Sequence, residues 1–358
     1  MITAASTHLS RWLAPAAVVA VVLSVAGVRA SAAGASPALP QISAADLLVK
    51  ASHARVDALS GVVRTSTELG LPALPDTGGA LSPQALLAGQ HTLRVFLDGP
   101  DRQRVDLLGT LAETKGVHNG RDGWQWSSSS NKATHVRLPA PATNRPQRTT
   151  QPAGTPQALA NQLLAAVTPT TVVSVGTAAI VAGRSAYDLR LSPKTRDSLV
   201  DRADLYLDSR TGLPLRVMVI ARGAAHPAID VGFTSIDLRR PAAQVFRFTP
   251  PPGTKVTEVA PPADPGQAKR APTSARPVVR GSGWTAVAEI RGGSGRIDAS
   301  GQLGMLLRGA STATGAFGSG RVVGTRLLTV LITDDGRLFA GAVSRSALLR
   351  VAGSAGHG

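Results

Sequence analysis

The chain has 358 residues, 43% hydrophobic but only 3% aromatic, with 37 Gly, 25 Pro and no Cys. That length accommodates one large domain and a small one, with a core of Val, Leu, Ile and Ala; the absent thiol excludes disulfides, zinc–thiolate sites, thiol nucleophiles and thiol-attached lipid. The formal charge is +16, weighted to the tail, where 261–358 holds 12 basic and 5 acidic residues; this basic C-terminal part suits an anionic surface or a solvated Arg-rich face, while aromatics that do not interleave with the basic residues argue against nucleic acid.

His8 and Arg11 precede an apolar run from Leu13 to Val28, and Ala30-Ser31-Ala32-Ala33 follows. This charged, apolar, small-residue order is that of a secretory signal peptide over 1–32, with Ala30 and Ala32 at −3 and −1 of the cut. The run contains Pro15 and Gly27 and is short for a spanning helix; an uncleaved N-terminal anchor is the alternative. Either way the chain is expected outside the cytoplasmic membrane, extracellular or in the cell envelope.

After a Pro/Ala spacer, Ser43 with Asp46 three residues on predicts a helix start, and Leu47, Leu48, Ala51, Ala54 and Ala58 at helical spacing predict a helix over 43–59. Strands are then predicted at 61–68, 91–97, 102–108, 112–118, 124–127 and 133–138, punctuated by Asp98-Gly99-Pro100-Asp101 and Asn119-Gly120-Arg121-Asp122-Gly123. Residues 69–90 read as a loop with one helical turn, and 140–156 as a Pro-, Thr- and Arg-rich insertion. A second helix is predicted at 157–167. Strands resume at 171–175, 178–183, 185–191, 203–208, 214–221 and 228–237, with a last one at 245–249. Strand-after-strand order with two helices excludes βαβ units and predicts an antiparallel sheet with helices on one side. Residues 261–282 carry five Pro and read as a linker that few contacts cross. The remainder, 283–358, is predicted to hold a strand at 285–290, a helix at 300–309, strands at 321–332 and 337–343 about Asp334-Asp335-Gly336, and a closing helix at 345–352.

No catalytic or metal site emerges. The seven His never pair at i, i+4, and no G-x-S-x-G or P-loop occurs. Gly318-Ser319-Gly320 and Asp334-Asp335-Gly336 have the chemistry of turns rather than of nucleotide or Ca²⁺ loops. Trp124 and Trp126 alternate, so they share one face of a strand, lining either an apolar cavity or a packed core. Leu47, Leu48, Leu163 and Leu164 of the helices carry the same two readings, and Leu215, Val217 and Val219 share one face of their strand.

Four stretches together resemble the LolA/RseB (MucB) group of lipoprotein-carrier-like proteins. They are the helix running into Ser60-Gly61-Val62-Val63, the segment GRDGWQW at 120–126, VAGRSAYDLRLSP at 181–193, and ADLYLDSRTGLPLRVMVIARG at 203–223 leading to a terminal FRFTPPPGTKV. The resemblance implies a mostly β (α+β) fold: over 43–260, a curved antiparallel half-barrel with helices on its concave side, and over 283–358 a small α+β C-terminal unit. It implies a non-catalytic protein without cofactor or metal that binds a hydrophobic or acylated ligand. The expected cavity is lined by Leu47, Leu48, Trp124, Trp126, Leu163, Leu164, Leu215, Val217 and Val219. The alternative it implies is an RseB-like regulator of a membrane-bound partner such as an anti-sigma factor, which the linker and second domain favour.

Overall fold

The computed structural model describes residues 37–70, 89–137, 152, 154–165, 167, 169–259, 277–291 and 309–355. The signal segment, the helical turn expected within 69–90, most of the 140–156 insertion and the helix expected at 300–309 lie outside the described residues. No described helix is long and apolar enough to cross a membrane.

Helix α1 (Ala44–His53) starts where expected: Ser43 Oγ accepts from the Asp46 amide at 3.1 Å. It ends six residues before the predicted limit. The Ala54 amide turns back to Ala51 O at 3.3 Å, and Ala58 already pairs with Asp98, so strand pairing takes residues whose spacing alone would extend the helix. Helix α2 (Pro156–Ala165) begins on Thr155, whose Oγ1 accepts from the Ala158 amide, with Pro156 in the first helical position, where its missing N–H costs nothing.

The first sheet runs β13-β6-β5-β4-β3-β2-β1-β12-β11-β10-β9-β7, with β8 also on β9. Its strands are β1 (Ala58–Thr67), β2 (Gly89–Asp98), β3 (Arg102–Leu108), β4 (Glu113–Asn119), β5 (Asp122–Ser127), β6 (Lys132–Arg137), β7 (Thr171–Val175), β8 (Ala179–Val181), β9 (Arg184–Pro193), β10 (Val200–Asp208), β11 (Pro214–Ala221), β12 (Pro227–Asp237) and β13 (Lys255–Val259). The sheet is curved and unclosed, with sequential strands as neighbours except where β1 meets β12, β13 meets β6 and β7 meets β9. All pairs are antiparallel save one: β13 lies parallel to β6 at the edge. Helix α1 packs on β7 and β9 and α2 on β11 and β12, so one face of the sheet bears both helices. The mostly β half-barrel expected from the sequence is the fold observed.

One expected strand is corrected. Residues Ala243–Phe246 form a 3-10 turn, not the start of a strand over 245–249. Phe246 and Phe248 alternate as a strand would, but the Val245 carbonyl is taken by the Arg104 guanidinium at 2.9 Å and the Arg247 amide by Gln244 O. The strand of this segment comes later, as β13.

The motif Asp-x-x-Thr-Gly-Leu-Pro between β10 and β11 is a turn held by one carboxylate. Asp208 accepts from the amides of Arg210 and Thr211, from Thr211 Oγ1 at 2.9 Å, and from Arg184 Nε at 2.6 Å. Burial opposes its ionisation, yet these bonds hold it below the ordinary carboxylate range. Gly212 has φ +75°, and an added Cβ would stand 2.9 Å from Lys50 of α1, whose Nζ donates to Ser209 O. The turn thereby docks the first helix.

The second sheet runs β14-β15-β19-β18-β17-β16, with β14 (Val278–Arg280), β15 (Val287–Arg291), β16 (Ser311–Gly315), β17 (Gly318–Gly324), β18 (Thr329–Thr333) and β19 (Arg337–Gly341), closed by α3 (Arg345–Ser354). The strand expected over 321–332 is two strands, because Thr325 Oγ1 takes the amides of Leu327 and Leu328 and turns the chain. β16 has no counterpart in the sequence reading; its Ser-Thr-Ala-Thr-Gly composition carries little apolar alternation. β14 falls within the last residues of the expected linker.

The two sheets join through side chains and main chain. Trp284 is buried in the same cluster as Leu47, Tyr187, Leu205 and Val217, together with Leu327 and Ala342, and its Nε1 donates to Thr171 Oγ1 at 2.9 Å. Ser198 bridges to Val343, the Leu199 amide donates to Ala342 O at 2.9 Å, and Arg350 pairs with Asp197 at 2.8 Å.

Candidate functional site

Strand register decides which residues share a face. Val217 pairs with Val231, Val231 with Thr65, and Val63 with Leu93; Leu93 pairs with Leu107, Leu107 with Thr114, and Thr114 with Ser127. These residues occupy the helix-bearing face. Trp124 and Trp126 alternate with Ser127 and therefore lie on the opposite, outer face, in line with Arg104 and Val117, and with Asp106 and Lys115.

The residues expected to line one cavity thus separate into two groups. Leu47, Leu48, Leu163, Leu164, Val217 and Val219 come together under the helices in one cluster, where Leu47, Val217 and Val219 are buried and the other three half-buried. Leu215 shares their face but packs in the adjoining cluster with Val63, Leu93, Val95 and Phe233. Trp124 and Trp126 meet neither group. They sit beneath Phe248, at 5.5 and 6.3 Å between ring centroids, where the chain after β12 straps across the outer face. Lys115 Nζ stands 5.2 Å from the Trp126 ring.

The helix-bearing face changes character along the sheet. Beneath the helices, Leu189, Leu191, Leu205, Leu207 and Val217 are fully buried. Beyond β2, the same face opens into a cavity of about 360 Å³ lined by Gln103, Val105, Gly116, Gly123, Gln125 and Val136, with His118, Thr134 and Pro152 at its walls. Val95 of the core pairs with Val105, Val105 with Gly116, Gly116 with Gln125, and Gln125 with Thr134, so the cavity prolongs the core without a change of face. It exists because Gly116 and Gly123 present no side chain where their neighbours in the core present Leu and Val. The lining is largely apolar. A wider hollow of about 600 Å³ at the other strand ends, lined by Arg64, Gln90, Thr92, Ser127 and Ser129, is the more polar. Of the residues singled out from the sequence only Trp124 borders this cavity; the alternation of Gly116 and Gly123 with polar residues in otherwise β-forming strands is the visible sign of the rest.

The outer face of β9 to β12 carries charge instead. Arg190 bridges Asp188 at 2.7 Å and Asp204 at 3.0 Å, Arg202 also meets Asp204, and Arg216 pairs with Asp230 at 2.5 Å. Asp188 is buried and its Oδ1 has no hydrogen-bond partner. Burial first, then repulsion from Asp204, pushes its carboxyl up to about 6 against the pull of Arg190. Gly176 lies against it so closely that a Cβ would come within 1.9 Å of Asp188 Oδ2. Among the described residues no group of three or more His, Asp or Glu could hold a metal ion.

No family model and no curated protein matches the sequence. Similar solved structures include the MucA/MucB complex of Pseudomonas aeruginosa, 18% identical over 86% of this chain and 96% of that chain, with a TM-score of 0.42. An uncharacterized conserved protein of Thermus thermophilus is 11% identical over 60% of this chain and 99% of that one, at 0.34. The LolA superfamily protein NE2245 of Nitrosomonas europaea is 14% identical over 58% of this chain and 99% of that one, at 0.22. At such identities function does not transfer, and the description of the fold rests on strand order: a long unclosed sheet of sequential antiparallel strands, two helices on one face, and a strap closing the far edge. The fold is mostly β, one large curved and unclosed sheet with helices on one face, the architecture that the sequence resemblance implies.

Proposed function

We propose that this chain is an exported, non-catalytic binding protein that takes up one apolar or acylated ligand in the cavity of β3 to β6. The observation that carries the reading is the cavity itself: about 360 Å³, within the range of about 300–1,000 Å³ typical of small-molecule sites. It continues a hydrophobic core and has a few polar groups, Gln103, His118 and Gln125, to orient a ligand's polar end. Each methylene taken from water into such a lining contributes on the order of 0.8 kcal/mol. The helix-covered cluster is a weaker candidate, since its sheet side is already filled by Leu and Val.

A displacement assay with a fluorescent fatty acid on the mature chain tests this. A Cβ at Gly123 would meet its nearest neighbour, Val136 O, at 3.5 Å, which is ordinary contact, so Gly123→Leu fills the cavity without forcing the backbone. It should weaken binding by about tenfold or more, the equivalent of one or two buried methylenes, while Leu164→Glu on the helix side leaves affinity within about twofold. Absence of saturable binding by the folded wild type removes the ligand reading. A reversed pattern, with Leu164→Glu as the damaging change, moves the site under the helices. The second sheet, docked through Trp284 and Asp197, favours a second reading: a regulator that holds a membrane-bound protein partner, an anti-sigma factor among the candidates.

A further inference from the structure

We propose that His135 is a proton-dependent clasp that holds the strap of residues 242–259 to the edge of the first sheet. The imidazole stands between two carboxylates from different elements. Its Nδ1 is 2.8 Å from Glu258 Oε2 on β13, and its Nε2 is 3.0 Å from Asp122 Oδ1 on β5. An ionised carboxylate only accepts hydrogen bonds, and a neutral imidazole has one N–H. Neutral His135 therefore serves one carboxylate and turns a lone pair toward the other. The imidazolium donates to both, and both bonds are charge-assisted. The ring also stacks on Trp124, with centroids 4.0 Å apart and planes at 13°, a geometry that favours a cation over an aromatic face.

What the clasp holds is the least anchored part of the strap. At its start the strap is fixed by fully buried Phe246 and by Arg104 donating to Val245 O at 2.9 Å. At its middle, Asn131 donates to Gly253 O and accepts from Thr254 Oγ1. From Lys255 on, all five residues of β13 are exposed, and the His135–Glu258 contact is the side-chain tie that joins this strand to its neighbour β6. Loss of the imidazole proton removes one of the two hydrogen bonds and leaves β13 to depend more on its main-chain ladder with β6. In register beside the clasp, Arg137 stands opposite Asp122 and Lys255 opposite Lys132. Arginine and lysine side chains stay cationic at neutral and mildly acidic pH alike.

Amide hydrogen exchange on the full mature chain at pH 5.5 and pH 8, corrected for intrinsic rates, reads the clasp. Protection at 255–259 should fall about fivefold or more at pH 8, while β9 to β11 stay unchanged. His135→Gln should show the low protection at both pH values. Glu258→Gln, an exposed change that leaves the core untouched, presents an amide that either ring state can pair with, and should flatten the pH dependence even if the histidine variant fails to fold. Equal protection of 255–259 at both pH values in the wild type, or an undiminished pH dependence in Glu258→Gln, overturns the proposal.

Discussion

The helix-bearing face of the first sheet is one surface treated in two ways. From β9 to β12 its inward residues are Leu189, Leu205, Val217 and Val231, and two short helices seal them. From β3 to β6 the inward positions are Gln103, Gly116, Gly123 and Gln125, and the surface stays open as a cavity. Strand pairing runs unbroken from one half to the other, through register shifts such as that at Val62/Val63, and the inward side chains differ. A strand filled with branched residues creates surface that must be covered. One punctuated by glycine leaves space that a ligand can fill.

The two halves should respond unequally to truncation. Leu205→Ala, at a fully buried position in the covered half, should cost about 2–5 kcal/mol, as large-to-small core changes do, measured by denaturant unfolding. Val136→Ala in the open half should cost about 1 kcal/mol or less by the same measure. Equal losses would mean that the cavity half is packed core as well.

The covered half also receives Trp284 from the second sheet. Trp284→Ala should destabilise by about 3 kcal/mol through lost packing and the lost bond to Thr171. Limited proteolysis should cut first in the segment read as a linker, between Ala260 and Gly283. With the interface intact, fragments cut there should still co-elute in gel filtration; in the Trp284→Ala protein they should separate. Prompt separation of the wild-type fragments would show that the interface is weak and the C-terminal unit autonomous.

The smallest effect concerns the outer face. Asp188 has its carboxyl raised to about 6, so the folded protein favours its neutral form. Its contribution is fully present below the ordinary Asp value of about 3.9 and is lost as pH rises through about 6. Asp188→Asn should therefore raise the melting temperature at pH 8 by about 2–4 °C and change it little at pH 4. A uniform shift at both pH values would assign the effect to packing rather than charge.

Much of the fold was legible because strand period and turn chemistry are local. The strands at 102–108, 171–175 and 214–221 lie where alternation places them, and Asp208 with Gly212 makes the turn its spacing announces. The misreadings are also local patterns, overruled by distant partners. Helix spacing ran on past His53, but Asp98 claims Ala58. Phe246 and Phe248 alternate as in a strand, but Arg104 claims the Val245 carbonyl just before them.

By itself, the sequence determined element type, order and the alternation of inward and outward residues within each strand, since these depend on neighbours a few residues apart. Tertiary structure alone decided which face of one strand continues which face of another. Trp126 and Val217 each read as inward-facing apolar residues, and nothing within either segment separates them. Only the chain of cross-strand pairs from β11 through β12, β1, β2, β3 and β4 to β5 places them on opposite faces, because a period of two fixes parity within a strand, whereas register between strands is set by hydrogen bonds to partners far away in the chain.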